Sequence, residues 1–273
     1  MGKLINRFFL RNTQAKFMNS IEKEIGNNLY EFYDQFLQIK GIYSERKDHW
    51  SVIRNIQGAW PRIIYRIDTE IIKPESTGIF SEKINSGTYP EIAIASEDNI
   101  QQVDPFLRSN GFYPFSAWRG MAINNESDIM APDLPENIEV VKLESSADIE
   151  QWLKVVTSQL ISPARLEKIL LDSLIAIPNI EAYLLKYKGV GVSTILVFSS
   201  GNSTGLYLIA TDKSVQRQGF ARILVQKILF QETQKSINPI ILHATPKGEA
   251  LYSKLGFKPF NQFFLYRYLN TQL

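Results

Sequence analysis

The chain has 273 residues, 44% of them hydrophobic and 21% charged, which is the composition of a globular protein with room for two domains of ordinary size. Its 30 Lys and Arg against 28 Asp and Glu leave a formal net charge of +2, too small a field to argue for nucleic acid or an anionic membrane as partner. The absence of cysteine excludes disulfides, thiolate metal sites and a cysteine nucleophile, and fits a cytoplasmic location.

The opening MGKLINRFFLRNTQAKF is basic, but its apolar run is too short for a signal peptide and reads as a helix or a frayed tail. Asn6 stands where myristoylation wants Ser or Thr. No run approaches the roughly 18 apolar residues of a membrane span. Trp50, Trp60 and Trp118 are spread through the first half, where packing accounts for them. Residues 124–137, NNESDIMAPDLPEN, are polar, acidic and proline-bearing, which places a linker there and divides the chain into units 1–130 and 131–273.

Beyond the linker the pattern alternates. Ile138 to Leu143 predicts a strand, and Ser145 with Asp148 opens a helix carrying Ile149, Trp152, Leu153, Val156 and Leu160. Ser162 and Pro163 predict the start of a second helix. Three strands follow, Glu181 to Tyr187, Val192 to Phe198 and Leu206 to Thr211. A helix is predicted from Gly219 to Thr233, then a buried strand from Pro239 to Ala244. Thr245 as N-cap, Pro246 in the first turn and Gly256 at the end bracket a last helix, and an aromatic strand closes the chain from Gln262 to Tyr268. The order is βααβββαβαβ.

The halves share landmarks. Gly111-Phe112-Tyr113-Pro114-Phe115 recurs as Gly256-Phe257-Lys258-Pro259-Phe260, and Pro90 to Ser96 echoes Pro239 to Thr245. Two matches in the same order suggest a duplicated fold. Under that alignment Leu107 stands where the second half has Tyr252.

The segment LYLIATDKSVQRQGFARIL, Leu206 to Leu224, carries the chemistry. A strand runs into a loop, and a helix opens at Gln216-Arg217-Gln218-Gly219-Phe220-Ala221. The unpaired N–H groups of a first helical turn and the positive end of its dipole attract phosphate. Gly219 lets the backbone come close, Ala221 keeps bulk away, and Arg217 adds charge. This Q-x-x-G-x-A after a strand resembles the pyrophosphate motif of the GCN5-related N-acetyltransferase (GNAT) family. The segment TPKGEALYSKLGF, Thr245 to Phe257, resembles that family's helix after the fifth strand, departing from it at Thr245 and Gly248.

The resemblance covers the C-terminal half. It implies an α/β (α+β) fold with a mixed, mostly antiparallel central sheet flanked by helices, the acyl-CoA N-acyltransferase fold, duplicated here with a degenerate N-terminal copy that shapes the acceptor cleft. It implies acetyl-CoA as co-substrate, no metal, and a primary amine of a small molecule or peptide as acceptor. Ile209, Ala210 and Thr211 would pair with the pantetheine arm, residues Gln216 to Ala221 would hold the pyrophosphate, and Thr245 would offer a hydroxyl to the arm. Tyr252 would donate to the departing thiolate. A Tyr near pKa 10 is a weaker acid than a thiol near 8.5, so full proton transfer is uphill by roughly 2 kcal/mol and hydrogen-bond donation is the better description. His243, one of 2 histidines, is the candidate base, with packing in a strand as the competing explanation. Glu249 is a weaker candidate, better explained as a solvated helix face. Tyr207, Phe263, Phe264 and Tyr266 read as core aromatics. A non-catalytic acyl-CoA-binding module is the alternative, and an aminoacyl-tRNA-dependent transferase is disfavoured by the near-neutral charge. A homodimer is allowed, with no interface signal for it.

Overall fold

The computed structural model describes residues 20–57, 60–68, 72, 74–124, 129–236 and 238–269. The basic opening with its myristoylation position, and part of the expected linker, lie outside these residues.

Helix α1 (residues 20–34) buries Ile21, Ile25, Asn28, Leu29 and Phe32, spaced three and four apart along one face. The first half continues as β1 (Ile42–Arg46), β2 (Ser51–Asn55), β3 (Arg62–Tyr65), α2 (Pro74–Asn85), β4 (Ile92–Ser96), α3 (Ile100–Ser109) and β5 (Phe112–Ile123). The second half comprises β6 (Ile138–Lys142), α4 (Ser146–Val156), α5 (Lys168–Ile175), β7 (Ile180–Tyr187), β8 (Val190–Ser199) and β9 (Thr204–Thr211). It ends with α6 (Phe220–Lys235), β10 (Ile240–Ala244), α7 (Glu249–Lys254) and β11 (Lys258–Tyr268). The alternation read from residue 138 onward is reproduced element by element.

The described strands form one 11-stranded sheet in the order β1-β2-β3-β4-β11-β5-β10-β9-β8-β7-β6. Two pairings are parallel, β3 with β4 and β9 with β10, and the rest are antiparallel. The last strands of the two halves are exchanged. Strand β11 lies between β4 and β5, and β5 lies between β11 and β10. The repeated Gly-Phe-x-Pro-Phe segments lead into these two exchanged strands, which pair with each other at Phe263 and Trp118.

Alternation along β10 shows the layering. Ile241 belongs to the core under α1, α4 and α5, whereas Leu242 belongs to the core under α6 and α7. A third core, with Trp50, Phe80, Leu107 and Phe112, lies under α2 and α3.

Two helix starts differ from the sequence reading. Ser162 follows a π-helical turn at Thr157–Ile161 and precedes a cis peptide to Pro163, and α5 begins only at Lys168. At the other start, the Thr245 carbonyl accepts from the N–H groups of Gly248 (2.9 Å) and Glu249 (3.1 Å), making a separate turn before α7 begins at Glu249. In both places a proline-bearing turn precedes the helix rather than opening it.

Candidate active site

Strands β9 and β10 run in parallel register from Thr204 opposite Ile240 to Leu206 opposite Leu242, and the ladder stops there. Past that point β9 stays with β8, but its register shifts between Tyr207 and Ala210, and Leu208 takes a φ of 48°. The result is a bulge at the point where the two strands part.

Two side chains of β8 fix the bulge. Thr194 Oγ1 donates to the Leu208 carbonyl at 3.0 Å, and Ser193 Oγ donates to the Ala210 carbonyl at 2.8 Å. Both residues are fully buried. Their carbonyl partners alternate, so the backbone of Ile209 faces the opposite edge, toward β10. The Thr211 carbonyl is held by Gln216 Nε2 at 3.0 Å. Of the three residues expected to meet a pantetheine arm, Ile209 has its backbone directed into the wedge, whereas the Ala210 carbonyl is engaged by β8. Ser193 and Thr194 escaped the sequence reading. The signal for them was a polar pair between Val192 and Ile195 in an otherwise apolar strand.

After β9 the chain turns tightly, with Asp212 accepting from the Ser214 N–H at 2.9 Å and from its hydroxyl at 2.6 Å. These donors hold the Asp212 carboxyl below the usual range. Arg217 and Gly219 then adopt φ values of 64° and 89°, and α6 starts at Phe220. The turn is exposed from Gln216 to Gly219, and Arg217 has no carboxylate partner among the described residues. A Cβ on Gly219 would meet no atom within 4 Å, so the glycine is there for its left-handed backbone and for the space above the helix end. The Gln216 side chain also reaches Gln159 Oε1 at 3.4 Å, which ties the turn to the π-helical segment after α4.

Tyr252 on α7 is buried in the α6–α7 core, with its ring edge-on to Phe257 at 6.0 Å. Burial pushes its pKa up, so the hydroxyl stays protonated at neutral pH. Gly248 makes room for it, since a Cβ there would sit 3.0 Å from the Tyr252 ring and 3.6 Å from Thr245 Oγ1. Thr245 is exposed at the end of β10.

His243 lies one residue past the last β9–β10 pair, on the opposite face of the sheet from Tyr252. It is flanked by Phe263 (4.8 Å), Tyr207 (6.2 Å) and Trp118 (6.5 Å). Both ring nitrogens are enclosed, and burial lowers the pKa to about 3 against a smaller opposing effect of the Ile25 backbone. The imidazole is therefore neutral. The wedge, the turn and Tyr252 are brought together around α6 and α7, and His243 looks the other way.

Residues 150–266 match the model of the acetyltransferase (GNAT) domain. Similar solved structures include a GCN5-related N-acetyltransferase from Kribbella flavida, at 15% identity and TM-score 0.63, covering 89% of this chain and 96% of that one. Another, from Sphaerobacter thermophilus, has 14% identity and TM-score 0.60, covering 87% and 84%. A tandem GNAT protein from the clavulanic acid biosynthesis pathway has 9% identity and TM-score 0.58, covering 86% of each chain. No curated protein matches the sequence. The C-terminal stretch therefore carries a domain of the acetyltransferase (GNAT) type, and enzymes of that type use acetyl-CoA as co-substrate. Most of the chain has the fold seen in these enzymes, including the tandem one. No described helix is long and apolar enough to cross a membrane, and no cluster of His, Asp or Glu among the described residues is suited to a metal.

Proposed function

We propose that the protein is a cytoplasmic N-acetyltransferase that moves the acetyl group of acetyl-CoA directly to a primary amine of a small molecule or peptide. The observation that carries the proposal is the wedge: β9 bulges at Leu208 as it leaves β10, and the chain then opens α6 through Gly219 at φ 89°. In this reading residues 131–273 are the catalytic unit. Residues 1–130 are a degenerate copy, with Leu107 in the place of Tyr252, that walls the acceptor side.

The pantetheine arm enters between β9 and β10 and meets the backbone of Ile209, with Ala210 and Thr211 beside it. The pyrophosphate rests on the turn of Gln216, Arg217, Gln218, Gly219, Phe220 and Ala221, where the first N–H groups of α6 are free of helical partners. Thr245 borders the arm. The neutral amine attacks the thioester carbonyl carbon, the C–N bond forms and the C–S bond breaks. The nitrogen gives up one proton and the leaving thiolate gains one. Tyr252 donates a hydrogen bond to the developing thiolate, a role its raised pKa suits better than full proton release. His243 as proton acceptor is the least supported assignment, because its nitrogens are enclosed. Transfer of the proton through water is the simpler route.

The test is an acetylation screen of an amine library with acetyl-CoA, following thiol release. Acetyl-CoA binding without turnover of any amine would favour a non-catalytic acyl-CoA-binding module.

A further inference from the structure

We infer that Asn28 of α1 is a positioning residue for the acyl-donor wedge, fixing Tyr207 where β9 and β10 part. The inference rests on that wedge being the donor site, as proposed above.

Asn28 is fully buried and every polar atom of its side chain is engaged. Its Oδ1 accepts from the Tyr207 hydroxyl at 2.6 Å. Its Nδ2 donates to Ser203 Oγ at 2.9 Å and to the Ser203 carbonyl at 3.3 Å. Ser203 Oγ donates in turn to Glu24 Oε1 at 2.8 Å. The helix thus grips β9 at both ends of its paired stretch, just before Thr204 and just after Leu206. The approach is so close that a Cβ on Gly205 would collide with Asn28 Oδ1 and with the Tyr207 ring. Phe32, one turn further along α1, stacks on the same ring at 4.2 Å with 13° between planes.

Placement gives this grip its consequence. Tyr207 is the first residue beyond the last β9–β10 pair and the last before the bulged Leu208. From β8, Thr194 and Ser193 hold the bulge, and from α1, Asn28 and Phe32 hold its root. A helix needed only for burial would meet β9 with apolar groups, because a buried polar chain is costly unless fully satisfied. The same helix makes a second contact of this kind, where the Tyr65 hydroxyl donates to Asp34 at 2.8 Å just before Arg66 at φ 53°. One helix therefore anchors a tyrosine beside a positive-φ residue in each half.

The experiment measures the acetyl-CoA Kd by titration calorimetry, and the melting temperature, for the full chain and for Tyr207→Phe, Asn28→Leu and the double variant. Tyr207→Phe keeps the ring and its stack and removes one hydroxyl. The expected result is a Kd raised about tenfold in each single variant, equivalent to about 1.4 kcal/mol, with little further change in the double variant. With any amine found to turn over, KM for acetyl-CoA rises while kcat at saturating donor changes less. A Kd within twofold of wild type in folded Tyr207→Phe overturns the inference even if the melting temperature falls, because Asn28 would then serve packing alone. Should Asn28→Leu fail to fold, Tyr207→Phe decides. Failure of the wild type to bind acetyl-CoA would instead overturn the donor-site reading, and this inference with it.

Discussion

Leu208 and Arg66 stand at matching points of the two halves: each has positive φ, 48° and 53°, two residues beyond a residue in parallel register with the later strand. In the second half that register pair is Leu206 with Leu242, and in the first it is Ile64 with Ala93. The internal sequence repeat aligns Ala93 with Leu242, so the two positive-φ residues fall at the same place in the repeat. In the first half, however, Asn99 Nδ2 donates to the Ile67 carbonyl at 2.7 Å. That carbonyl is the counterpart of Ile209, so the backbone group that faces the open wedge in one half is occupied in the other. Acetyl-CoA should bind with a stoichiometry of one per chain. A stoichiometry of two would show that Asn99 does not close the first wedge.

The exchange of β5 and β11 should make unfolding a single event. Each of these strands is flanked by elements of the opposite half, so neither half can open without stripping pairs from the other. Calorimetry is expected to show one thermal transition. Two well-separated transitions would mean that the halves behave as independent units.

Arg217 holds a left-handed backbone with an exposed side chain and no carboxylate partner. Such a conformation costs roughly 1 kcal/mol in a residue with a Cβ, so Arg217→Gly should raise the melting temperature by about 2–4 °C. The same change removes a cation from the proposed pyrophosphate turn and should weaken acetyl-CoA binding severalfold. A rise in stability with unchanged affinity would take Arg217 out of the site.

Tyr252→Phe should lower kcat at least about tenfold, the size of one lost hydrogen bond to developing charge, with the acetyl-CoA Kd nearly unchanged. Gly248→Ala should have a milder effect of the same kind, since its Cβ would sit 3.0 Å from the Tyr252 ring. A kcat within twofold of wild type in Tyr252→Phe would remove the residue from the chemistry.

The pKa of His243, about 3 in the folded chain, lies below the ordinary value of 6.5. Between those values the unfolded chain binds the extra proton and the folded chain does not. The contribution to stability is complete above about pH 6.5 and is lost as pH falls toward 3, at up to about 1.4 kcal/mol per unit. His243→Gln should flatten that part of the stability profile. In the wild type, ring resonances assigned to His243 should stay neutral throughout pH 5–8, and their titration in that window would contradict its enclosure.

Periodicity and turn chemistry carried most of the second half, because its strands and helices alternate with glycine and proline signals. The glycine turn that opens α6 was legible because Gly219 and Ala221 follow a strand at a fixed spacing. The strand exchange was not, since β11 reads the same whether it pairs with β10 or with β4. The anchoring of Tyr207 by Asn28 joins residues far apart in sequence, and a lone asparagine on an amphipathic helix gives no sign of its partner. The direction of His243 depended on which face of β10 lies under α1, a fact set by the packing of the first half. Pro163 and Pro246 each sit in a turn ahead of the helix, a placement that the sequence does not distinguish from the first helical turn.

The most direct test of the account is calorimetric titration of the full chain with acetyl-CoA, repeated on Gly219→Glu, which places bulk and negative charge at the opening of α6. Saturable binding by the wild type, lost in the variant while it remains folded, is the expected result. No binding by the wild type at millimolar ligand, or binding equally tight in the variant, would contradict the assignment of the wedge and its turn as the acyl-donor site.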